Sequence, residues 1–583
     1  MLFRSLAGTK GAYRVVRPVA ELALPPTVQA VLAGRIDRLP AREKEVLGTA
    51  AVIGKAVPGL ILKRVAALPQ DELSAAVAEL VSREFLYETA LYPEAEYAFK
   101  HPLTQEVAYR SQFAERRKAV HAAVARAIEG FYADRLGEHA ALLAQHWEGA
   151  DEALVAADWH RRAAEWVGAR DRGEMRRHWQ RVRTLLDAVP ESSETLVLGV
   201  LARTNLLQNG MFLGQTDDEA AALFAEGRAL ASRLDGPALS IFLLSAYSFS
   251  RVASGAVDEA LAHLRESSRL ADQSGQTSLQ FIARLGLASA LTWAGQLREA
   301  VAAGDEVERL CGGDPEVGAD PGSGFGFSPY GTVLVYRAVA LAWFGRLGEA
   351  TATAGRAIEI ARRRQDTEVL VAAHAAGELA CELAGDVEGA LGHGREAVEA
   401  AATASWGMRM SALAVLGRAH LLAEDWPHAV EAMTGALAIM RERRVLLVFE
   451  SWILPVLAEA YLGAGDPSKA RETADLALAR ARQHHTRAFE IAALLAWARV
   501  HRATDGADGA AGIEAALRDA MALVQATGAR ACAPFIHVER AALAHLLGDE
   551  ATRQGELREA HRLFTEMGAT ARAEQVAREL GQG

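Results

Sequence analysis

The sequence is poor in the residues that mark secreted and membrane-spanning proteins. It has three cysteines in 583 residues, Cys311, Cys381 and Cys532, which lie far apart and form no CxxC motif. This arrangement indicates neither a disulfide framework nor a zinc site. No apolar run reaches the roughly 18 residues of a membrane span, and the N-terminus lacks an apolar core of signal-peptide length. We therefore expect a cytoplasmic protein.

Positive charge and aromatic side chains are also scarce. The chain has 63 Lys and Arg against 74 Asp and Glu, a formal net charge of −11. Broad binding to nucleic acid or to an anionic membrane needs a basic face, so neither is expected. Aromatic residues make up 6% of a chain that is 51% hydrophobic and rich in alanine. Because alanine favours helices and lets them approach closely, we predict a mostly helical, tightly stacked protein.

Residues 48–58, GTAAVIGKAVP, are similar to a phosphate-binding loop and raise the question of ATP binding. Such a loop needs four residues between its glycines and a hydroxyl residue after its lysine. Here five residues separate Gly48 from Gly54, and Ala56 occupies the hydroxyl position. The residues before Gly48 have helical spacing rather than the pattern of a buried strand. We interpret the stretch as a structural turn without a cofactor-binding residue.

From about residue 200 a glycine-containing turn recurs at regular spacing. The copies are GAVDEA from Gly255, GQLREA from Gly295, GRLGEA from Gly345, GDVEGA from Gly385 and GDPSKA from Gly465. They are 40, 50, 40 and 80 residues apart, and a weaker copy, EDWPHA from Glu424, divides the last interval into 39 and 41. A glycine- and proline-rich insertion at 311–329 explains the interval of 50, since such a composition is typical of a loop.

A constant period of about 40 residues is typical of an α-solenoid. One helix ends at the glycine, the second begins two or three residues later, and the alanine lies where the two pack closely. Each helix pair then buries its apolar face against its neighbours. The turn Gly-x-Φ-x-Glu-Ala, where Φ is apolar, resembles that of the tetratricopeptide (TPR) repeat in a lengthened form. The resemblance implies an all-α, right-handed TPR-like solenoid at 201–583, whose concave groove binds a protein or peptide.

Residues 25–110 have a different pattern, in which helical segments precede a hairpin signal. Aromatic residues alternate on either side of a turn at 93–94, as in an antiparallel pair. These residues are Phe85, Tyr87, Tyr97 and Phe99. Three helices followed by a hairpin is the order of a small winged-helix module. The segment has ten Lys or Arg and eleven Asp or Glu, whereas a DNA-binding module needs a basic recognition helix and wing. We therefore expect no binding to nucleic acid.

Four strings within residues 24–109 are similar to the region after the ATPase domain in a group of bacterial signalling proteins. They are PPTVQAVLAGRIDRLP, TAAVIGKAVP, FLYET and YAFKHPLTQEVAY. These proteins resemble class III adenylate/guanylate cyclases fused to a STAND-type (AAA-related) ATPase and a TPR tail. The resemblance implies the order cyclase, ATPase, winged helix and TPR array. The P-loop and cyclase residues would precede residue 1, so ATP and Mg²⁺ are implied only for a missing upstream domain.

Several histidines are candidates for chemistry, but each has a structural interpretation. His101 precedes a predicted helix and could contact nucleotide in a neighbouring ATPase domain. We favour packing at a strand–helix junction, since a lone histidine lacks the partners of a site. His139 and His146 are seven residues apart on a predicted helix, without further metal ligands. His484 and His485 are adjacent and point in different directions from a helix.

The run RDRGEMRRHWQRVR at 170–183 has six arginines and two acids. It could bind RNA or an acidic partner, but we favour the solvated face of an early helix pair. No Ser-His-Asp or Cys-His arrangement, HExxH motif or defined carboxylate pair is found. We therefore predict no catalytic, cofactor-binding or metal-binding residue, and no enzyme activity of this chain itself.

The predicted function is a regulatory or sensor module for protein–protein interaction in a cyclase- or ATPase-linked signalling protein. A remnant of the ATPase lid or linker occupies 1–24, the winged helix 25–110, transitional helical hairpins 111–200, and TPR-like repeats 201–583. Binding in the groove would be transmitted to an ATPase or cyclase domain in cis or in trans. Two alternatives stay open, a truncated gene model of an ATP-dependent cyclase and, more weakly supported, an ATPase–TPR transcriptional regulator.

Overall fold

Helices account for most of the described chain, which confirms the predicted all-α class. The computed structural model describes residues 6–9, 12–15, 26–90, 95–210, 213–312, 314, 328–443, 445–484 and 486–581. One structural unit comprises Met1–Trp166 and Thr184–Val189, and the other comprises Val167–Arg183 and Pro190–Gly583. No helix in the described part of the chain is long and apolar enough to cross a membrane.

The first unit contains short helices and a three-stranded antiparallel sheet with strand order β3–β5–β4. The strands of this unit are β1 (Leu6–Thr9), β2 (Ala12–Val15), β3 (Ala56–Pro58), β4 (Leu86–Ala90) and β5 (Glu96–Phe99). Its helices are α1 (Pro26–Asp37), α2 (Ala41–Ile53), α3 (Gly59–Ala66), α4 (Gln70–Ser82), α5 (Pro102–Arg110), α6 (Ala114–Phe131), α7 (Leu136–Gly149) and α8 (Ala153–Val167). The core of this unit lies between α2, α4 and the helices α6 to α8.

Strands β4 and β5 form the hairpin that the aromatic alternation predicts. Leu86 pairs with Phe99 and Glu88 pairs with Tyr97, while the turn at 93–94 lies outside the described residues. The prediction of one hairpin is incomplete, because β3 pairs with the other edge of β5 and β1 pairs with β2. Strand β3 has only three residues, which is too short to show a period of two.

In the stretch that is similar to a phosphate-binding loop, the order of helix and strand is the reverse of that in such a loop. Gly48 lies inside α2, and its carbonyl accepts a hydrogen bond from Gln112 Nε2 at 3.0 Å. The helix ends at Gly54, and Ala56 starts β3. A phosphate-binding loop follows a strand and opens a helix, so that amide groups at the helix N-terminus face the phosphates. Here a helix leads to a strand, and no such cradle forms.

The second unit is a stack of helical hairpins. After α9 (Arg172–Leu186), the described helices α10 to α27 form nine antiparallel pairs, followed by α28. They are α10 (Ser193–Gly210), α11 (Asp217–Ala231), α12 (Ala238–Ala253), α13 (Val257–Ser274), α14 (Thr277–Trp293), α15 (Leu297–Cys311), α16 (Pro329–Phe344), α17 (Leu347–Arg364), α18 (Thr367–Ala384), α19 (Val387–Ala400), α20 (Trp406–Leu422), α21 (Trp426–Arg443), α22 (Glu450–Gly463), α23 (Pro467–Gln483), α24 (Arg487–Asp505), α25 (Ala510–Thr527), α26 (Ala533–Leu546), α27 (Glu550–Glu566) and α28 (Thr570–Gly581).

The recurring motif forms the turn inside five of the nine described hairpins, at the predicted positions. Gly255, Gly295, Gly345, Gly385 and Gly465 have φ between 71° and 91°, the left-handed conformation that closes a helix. The motif alanines are at most 1% exposed, because each lies where the second helix packs against the first. These alanines are Ala260, Ala300, Ala350, Ala390 and Ala470.

Two features complete the pattern of hairpins. The pair α10/α11 is an additional repeat whose turn departs from the motif: Thr216 caps α11 by accepting from the amide of Glu219. The insertion at 311–329 falls between two hairpins, after α15 and before α16. Residues 313 and 315–327 within it lie outside the described residues.

The hairpin turns also contact parts of the unit that are far away in sequence. A Cβ placed on Gly255 would lie 2.9 Å from the carbonyl oxygen of His484, and one on Gly295 would lie 2.7 Å from Thr527 Cγ2. A continuous apolar core accordingly joins α13 to α18 with α24 to α28. The unit therefore curls until a hairpin turn reaches the chain about five hairpins later. Two further pairs are Gly345 with Met567 and Gly385 with Arg572.

Candidate functional site

A groove with a volume of about 260 Å³ lies on the inner side of the second unit. The first helix of each hairpin has an even number and the second an odd number. Eight first helices, α10 to α24, contribute residues to the lining of the groove. Stacked hairpins share one face for all their first helices, and that face is the concave side of a solenoid. The groove is also lined by seven aromatic residues, and we call it the aromatic groove. They are Phe249, Trp293, Tyr336, Trp343, Phe449, Trp452 and Phe489.

The aromatic rings form a connected cluster around Trp293. The centroid of its ring lies 5.2 Å from that of Phe449 and 5.6 Å from that of Phe489. Tyr336 and Trp343 on α16 lie 6.0 and 6.3 Å from it, at interplanar angles of 85° and 72°. The contacts of Trp293 with Phe449, Tyr336 and Trp343 are edge-to-face, the arrangement that aromatic pairs favour.

One polar edge of the groove is formed by Arg172 and Glu368. Arg172 donates to Asn209 Oδ1 at 2.7 Å and lies 3.6 Å from Glu368 Oε2. Glu368 also accepts hydrogen bonds from the amide of Ser405 at 2.7 Å and from its hydroxyl at 2.9 Å. Burial lowers the pKa of Arg172, and the carboxylate of Glu368 opposes that effect. Both charges therefore have partners within the protein.

A second buried ion pair lies at Arg418. Its Nε is 3.2 Å from Glu378 Oε2, it also pairs with Glu382, and its guanidinium lies 5.5 Å from the centre of the Trp452 ring. The Glu378 residue has 0% exposure. Burial raises the pKa of the Glu378 carboxyl, and the positive charge of Arg418 counteracts the shift. This pair connects α18 to α20 and fixes the arginine at the wall of the groove.

The lining determines what the groove can bind. Apart from the two arginines and Glu368, its described lining residues are apolar, aromatic or neutral polar, with no histidine, cysteine, lysine or aspartate. These residues contain no pair of a nucleophile and a base of the kind that acyl-transfer catalysis needs. Apolar and aromatic walls with few polar groups are typical of a site that takes an apolar ligand.

The cysteines lie in environments that suppress their reactivity. Burial raises the pKa of Cys311, of Cys381 and of Cys532 to about 12 in each case. A thiol is a nucleophile only when it is deprotonated, so these side chains are inert at neutral pH. All three are free of disulfide bonds.

The histidines that are candidates in the sequence have different surroundings in the structure. His101 is exposed at the junction between β5 and α5, so its predicted packing there is wrong. The ring of His139 lies 4.3 Å from that of Tyr132 at an angle of 31°, whereas His146 is buried and its Nδ1 lies 3.0 Å from His121 Nδ1. His139 and His146 therefore have different partners. His484 ends α23, and residue 485 lies outside the described residues.

The basic run at 170–183 is only partly a solvated face. Helix α9 buries Met175, Trp179 and Val182 at helical spacing. Arg172 lines the aromatic groove, and Arg183 pairs with Glu226 at 2.8 Å. The run therefore contributes both core residues and ion pairs to the second unit.

Although aromatic residues are few, two tryptophans at one position of the repeat indicate the groove. Trp293 and Trp343 each stand two residues before a motif glycine, Gly295 and Gly345, and so occupy one position of the repeat. That position lies at the end of a first helix and faces the concave side in both hairpins. Tryptophan recurring at one repeat position would have indicated a shared lining. Phe449, which lies in the 3₁₀ turn Leu447–Phe449 before α22, has no such regular position.

No protein-family model matches the chain, and no curated protein matches it. Solved structures with a similar fold include a Rap protein complexed with competence and sporulation factor, at 12% identity and a TM-score of 0.40, over 72% of this chain and 99% of that one. Another is a STAND protein with a tetratricopeptide repeat sensor from Pyrococcus horikoshii, at 12% identity and a TM-score of 0.44, over 96% and 69%. A third is the APC/C hetero-tetramer Cut9–Hcn1, at 11% and 0.43, over 81% and 85%.

Proposed function

We propose that this chain is a regulatory binding module, without catalysis of its own, that takes apolar side chains of a partner peptide into the aromatic groove. The observation that carries the proposal is the aromatic cluster on the concave side of eight successive hairpins. Aromatic pockets that exclude water supply a large part of the affinity of peptide recognition.

The charges at the groove favour an uncharged anchor. Arg172 and Arg418 are already paired with Glu368 and Glu378, so an ionic ligand would have to displace a carboxylate from a buried arginine. Breaking a buried ion pair costs about 3 to 5 kcal/mol. An apolar side chain meets no such cost.

The shortage of polar groups also limits how a peptide lies. A buried main chain needs a partner for every N–H and C=O group, and the apolar walls supply few. The neutral polar lining residues are dispersed, among them Gln208, Thr332 and Ser411. We therefore expect the peptide main chain to stay towards the solvent, with alternate or clustered apolar side chains inserted into the groove.

The first unit fits a role in transmission. Its order of α2, β3, α3, α4 and the β4–β5 hairpin supports the winged-helix interpretation of residues 25–110. We propose that this unit communicates the occupancy of the groove to an ATPase or cyclase domain in cis or in trans. A ligand shifts such an equilibrium only if it binds one arrangement more tightly than the other. The link to cyclases stays a prediction from the sequence strings.

Substitution of Ala372 tests the proposal for the groove. Ala372 on α18 is partly exposed and lines the groove, whereas Ala352 on α17 is exposed on a second helix. Peptides are selected from a displayed random library on the full chain, and their affinities are measured by fluorescence anisotropy. We expect selected peptides to be rich in apolar residues and Ala372→Phe to weaken binding at least about tenfold, a change of 1.4 kcal/mol. The matched Ala352→Phe should leave the affinity unchanged.

A second substitution keeps the proposal testable if Ala372→Phe does not fold. Ala375→Phe narrows the same groove one turn further along α18, and circular dichroism checks the fold of each variant. Tryptophan fluorescence gives an independent signal, because three tryptophans line the site. Peptides that bind all variants equally, or that lack apolar residues, would contradict the proposal.

A further inference from the structure

Two histidines and an aspartate meet at the turn between α20 and α21. His420 lies in the last turn of α20, Asp425 in the connection, and His428 in the first turn of α21. Nδ1 of His420 lies 3.1 Å from Asp425 Oδ2, and Nδ1 of His428 lies 2.8 Å from the same oxygen. The two imidazole rings are 5.2 Å apart at an angle of 26°. We call this group the His–Asp–His turn.

We propose that the His–Asp–His turn binds one divalent transition-metal ion of the Zn²⁺ class. Imidazole nitrogen and carboxylate oxygen are ligands that Zn²⁺ uses, at about 2.0 to 2.2 Å. Tetrahedral geometry at those lengths places neighbouring ligand atoms roughly 3.3 Å apart. One ligand atom from each of the three residues lies within 4.8 Å of the other two. Small side-chain rotations would therefore bring all three onto one ion.

Comparison with the other hairpins shows that the aspartate belongs to the repeat pattern, whereas the two histidines do not. Four described hairpin turns carry aspartate at this position. In α19 and α23 it caps the second helix, since Asp386 accepts from the amide of Gly389 at 3.0 Å and Asp466 from that of Lys469 at 3.1 Å. Capping explains an aspartate here in any hairpin. It does not explain a histidine on each side of one.

The residues that flank the other aspartates confirm that the pair of histidines is specific to this hairpin. The residues five before and three after the aspartate are Cys381 and Gly389, Tyr461 and Lys469, and Ala544 and Thr552 in the other three turns. Only the turn between α20 and α21, within the described hairpins, has a histidine at both places. The spacing His-x₄-Asp-x₂-His is thus an addition to the repeat pattern rather than part of it.

The site is accessible and has room for a further ligand. His428 is exposed, while His420 and Asp425 are partly buried, so an ion can enter from the solvent. Three protein ligands leave the fourth tetrahedral position to water or to a donor from a partner. The ion would also tie together the ends of α20 and α21. Helix α20 carries Arg418, two residues before His420, so the metal site adjoins an element of the groove.

Zn²⁺ titration of the full chain tests this proposal. The chain, free of any histidine tag and treated with a chelator, is titrated with ZnCl₂ by calorimetry, and Co²⁺ provides a visible spectrum of tetrahedral coordination. We expect one ion per chain. His428→Ala, an exposed substitution, should weaken binding at least about tenfold and remove the tetrahedral Co²⁺ bands. His545→Ala is the matched control, since His545 lies in the last turn of α26, four residues before Asp549 and without a second histidine three residues after it, and it should leave binding unchanged.

A gain-of-site variant completes the experiment. Tyr461→His combined with Lys469→His reproduces the spacing around Asp466, and we expect a second ion per chain. Zn²⁺ should also raise the Tm of the wild-type chain but not that of His428→Ala. Absence of binding by the wild type, or equal affinities of His428→Ala and His545→Ala, would overturn the proposal.

Discussion

At the scale of single residues, the most unusual feature is a set of buried or partly buried histidines that face one another. His121 and His146 approach to 3.0 Å through their Nδ1 atoms, and His374 and His393 do the same. In each pair one ring donates the hydrogen bond and the other accepts it, which requires the accepting ring to be neutral. Burial lowers the pKa of His121, of His146 and of His374 to about 4. Arg117 adds to the shift at His121.

These histidines predict that acid destabilises the protein. Unfolded histidines bind protons near pH 6.5, whereas these three bind them only near pH 4 when folded. Between the two values the unfolded state holds more protons, so stability is complete above pH 6.5 and decreases as the pH falls towards 4. Each histidine contributes up to about 1.4 kcal/mol per pH unit. Urea unfolding at a series of pH values measures this slope.

The double variant His121→Leu with His146→Leu should make that pH dependence less steep, because two of the titrating groups are then absent. An unchanged slope would mean that these two groups do not titrate differently in the folded and unfolded states. The sequence could not predict the pairing, because the partners come from different helices and lie 25 residues apart.

At the scale of the helices and turns, the motif glycines have two separate roles. Each closes a helix at positive φ, but only some lie against another part of the chain. Gly255 and Gly465 have φ of 90° and 81°. A Cβ on Gly255 would lie 2.9 Å from the carbonyl of His484, whereas one on Gly465 would have nothing within 4 Å. The two glycines are therefore a matched pair for separating the two roles.

We predict that Gly255→Ala destabilises the protein more than Gly465→Ala. Both variants place alanine at positive φ, which costs about 1 to 2 kcal/mol. Gly255→Ala also forces a main-chain shift at His484, which adds about 1 to 3 kcal/mol. Chemical denaturation of the two variants in parallel measures the difference. Equal losses would show that the approach of the two turns relaxes without cost.

The turns and helices are the part of the fold that the sequence predicts well. Their signals are local, since a glycine at positive φ and an alanine five residues later lie within one hairpin. Strand β3 was missed because three residues carry no period and its partner, β5, is about 40 residues away. The His–Asp–His turn was missed for a different reason, although it is local. Its histidines lie on two different helices, and only the hairpin geometry brings them to the aspartate.

At the scale of the whole repeat unit, the distant contacts change how the hairpins depend on one another. In an open solenoid each repeat contacts only its neighbours, and stability is a sum of local terms. Here Arg572 on α28 donates to the carbonyl of Glu382 at 3.1 Å, and Ala573 lies in a core shared with Leu383. The last helix therefore supports a turn that precedes it by almost five hairpins. The sequence predicts a concave groove, because its repeat period indicates a solenoid. It does not predict the contacts between distant turns, since these join residues almost five hairpins apart.

We predict that a change in α28 loosens the turn between α18 and α19. Ala573 is 7% exposed, and Ala573→Asp would place an unpaired charge in the shared core. Hydrogen exchange followed by mass spectrometry should show amide exchange at 381–389 accelerated at least about tenfold, the effect of a 1.4 kcal/mol loss of local stability. Gln575→Asp, at an exposed position of the same helix, is the control. Faster exchange confined to α26 to α28 would contradict the expectation.

The contacts between distant turns also constrain how this protein can evolve in length. Gly255 meets the end of α23 and Gly295 meets the end of α25, so the contacts advance by one hairpin at each step. Inserting or deleting a single hairpin between them would shift every later contact by one repeat. The turn glycines would then face side chains for which they have no room. Open repeat arrays gain and lose copies by recombination, whereas we expect relatives of this protein to keep a constant copy number between α12 and α28. Variation would be confined to the connections, such as the insertion between α15 and α16.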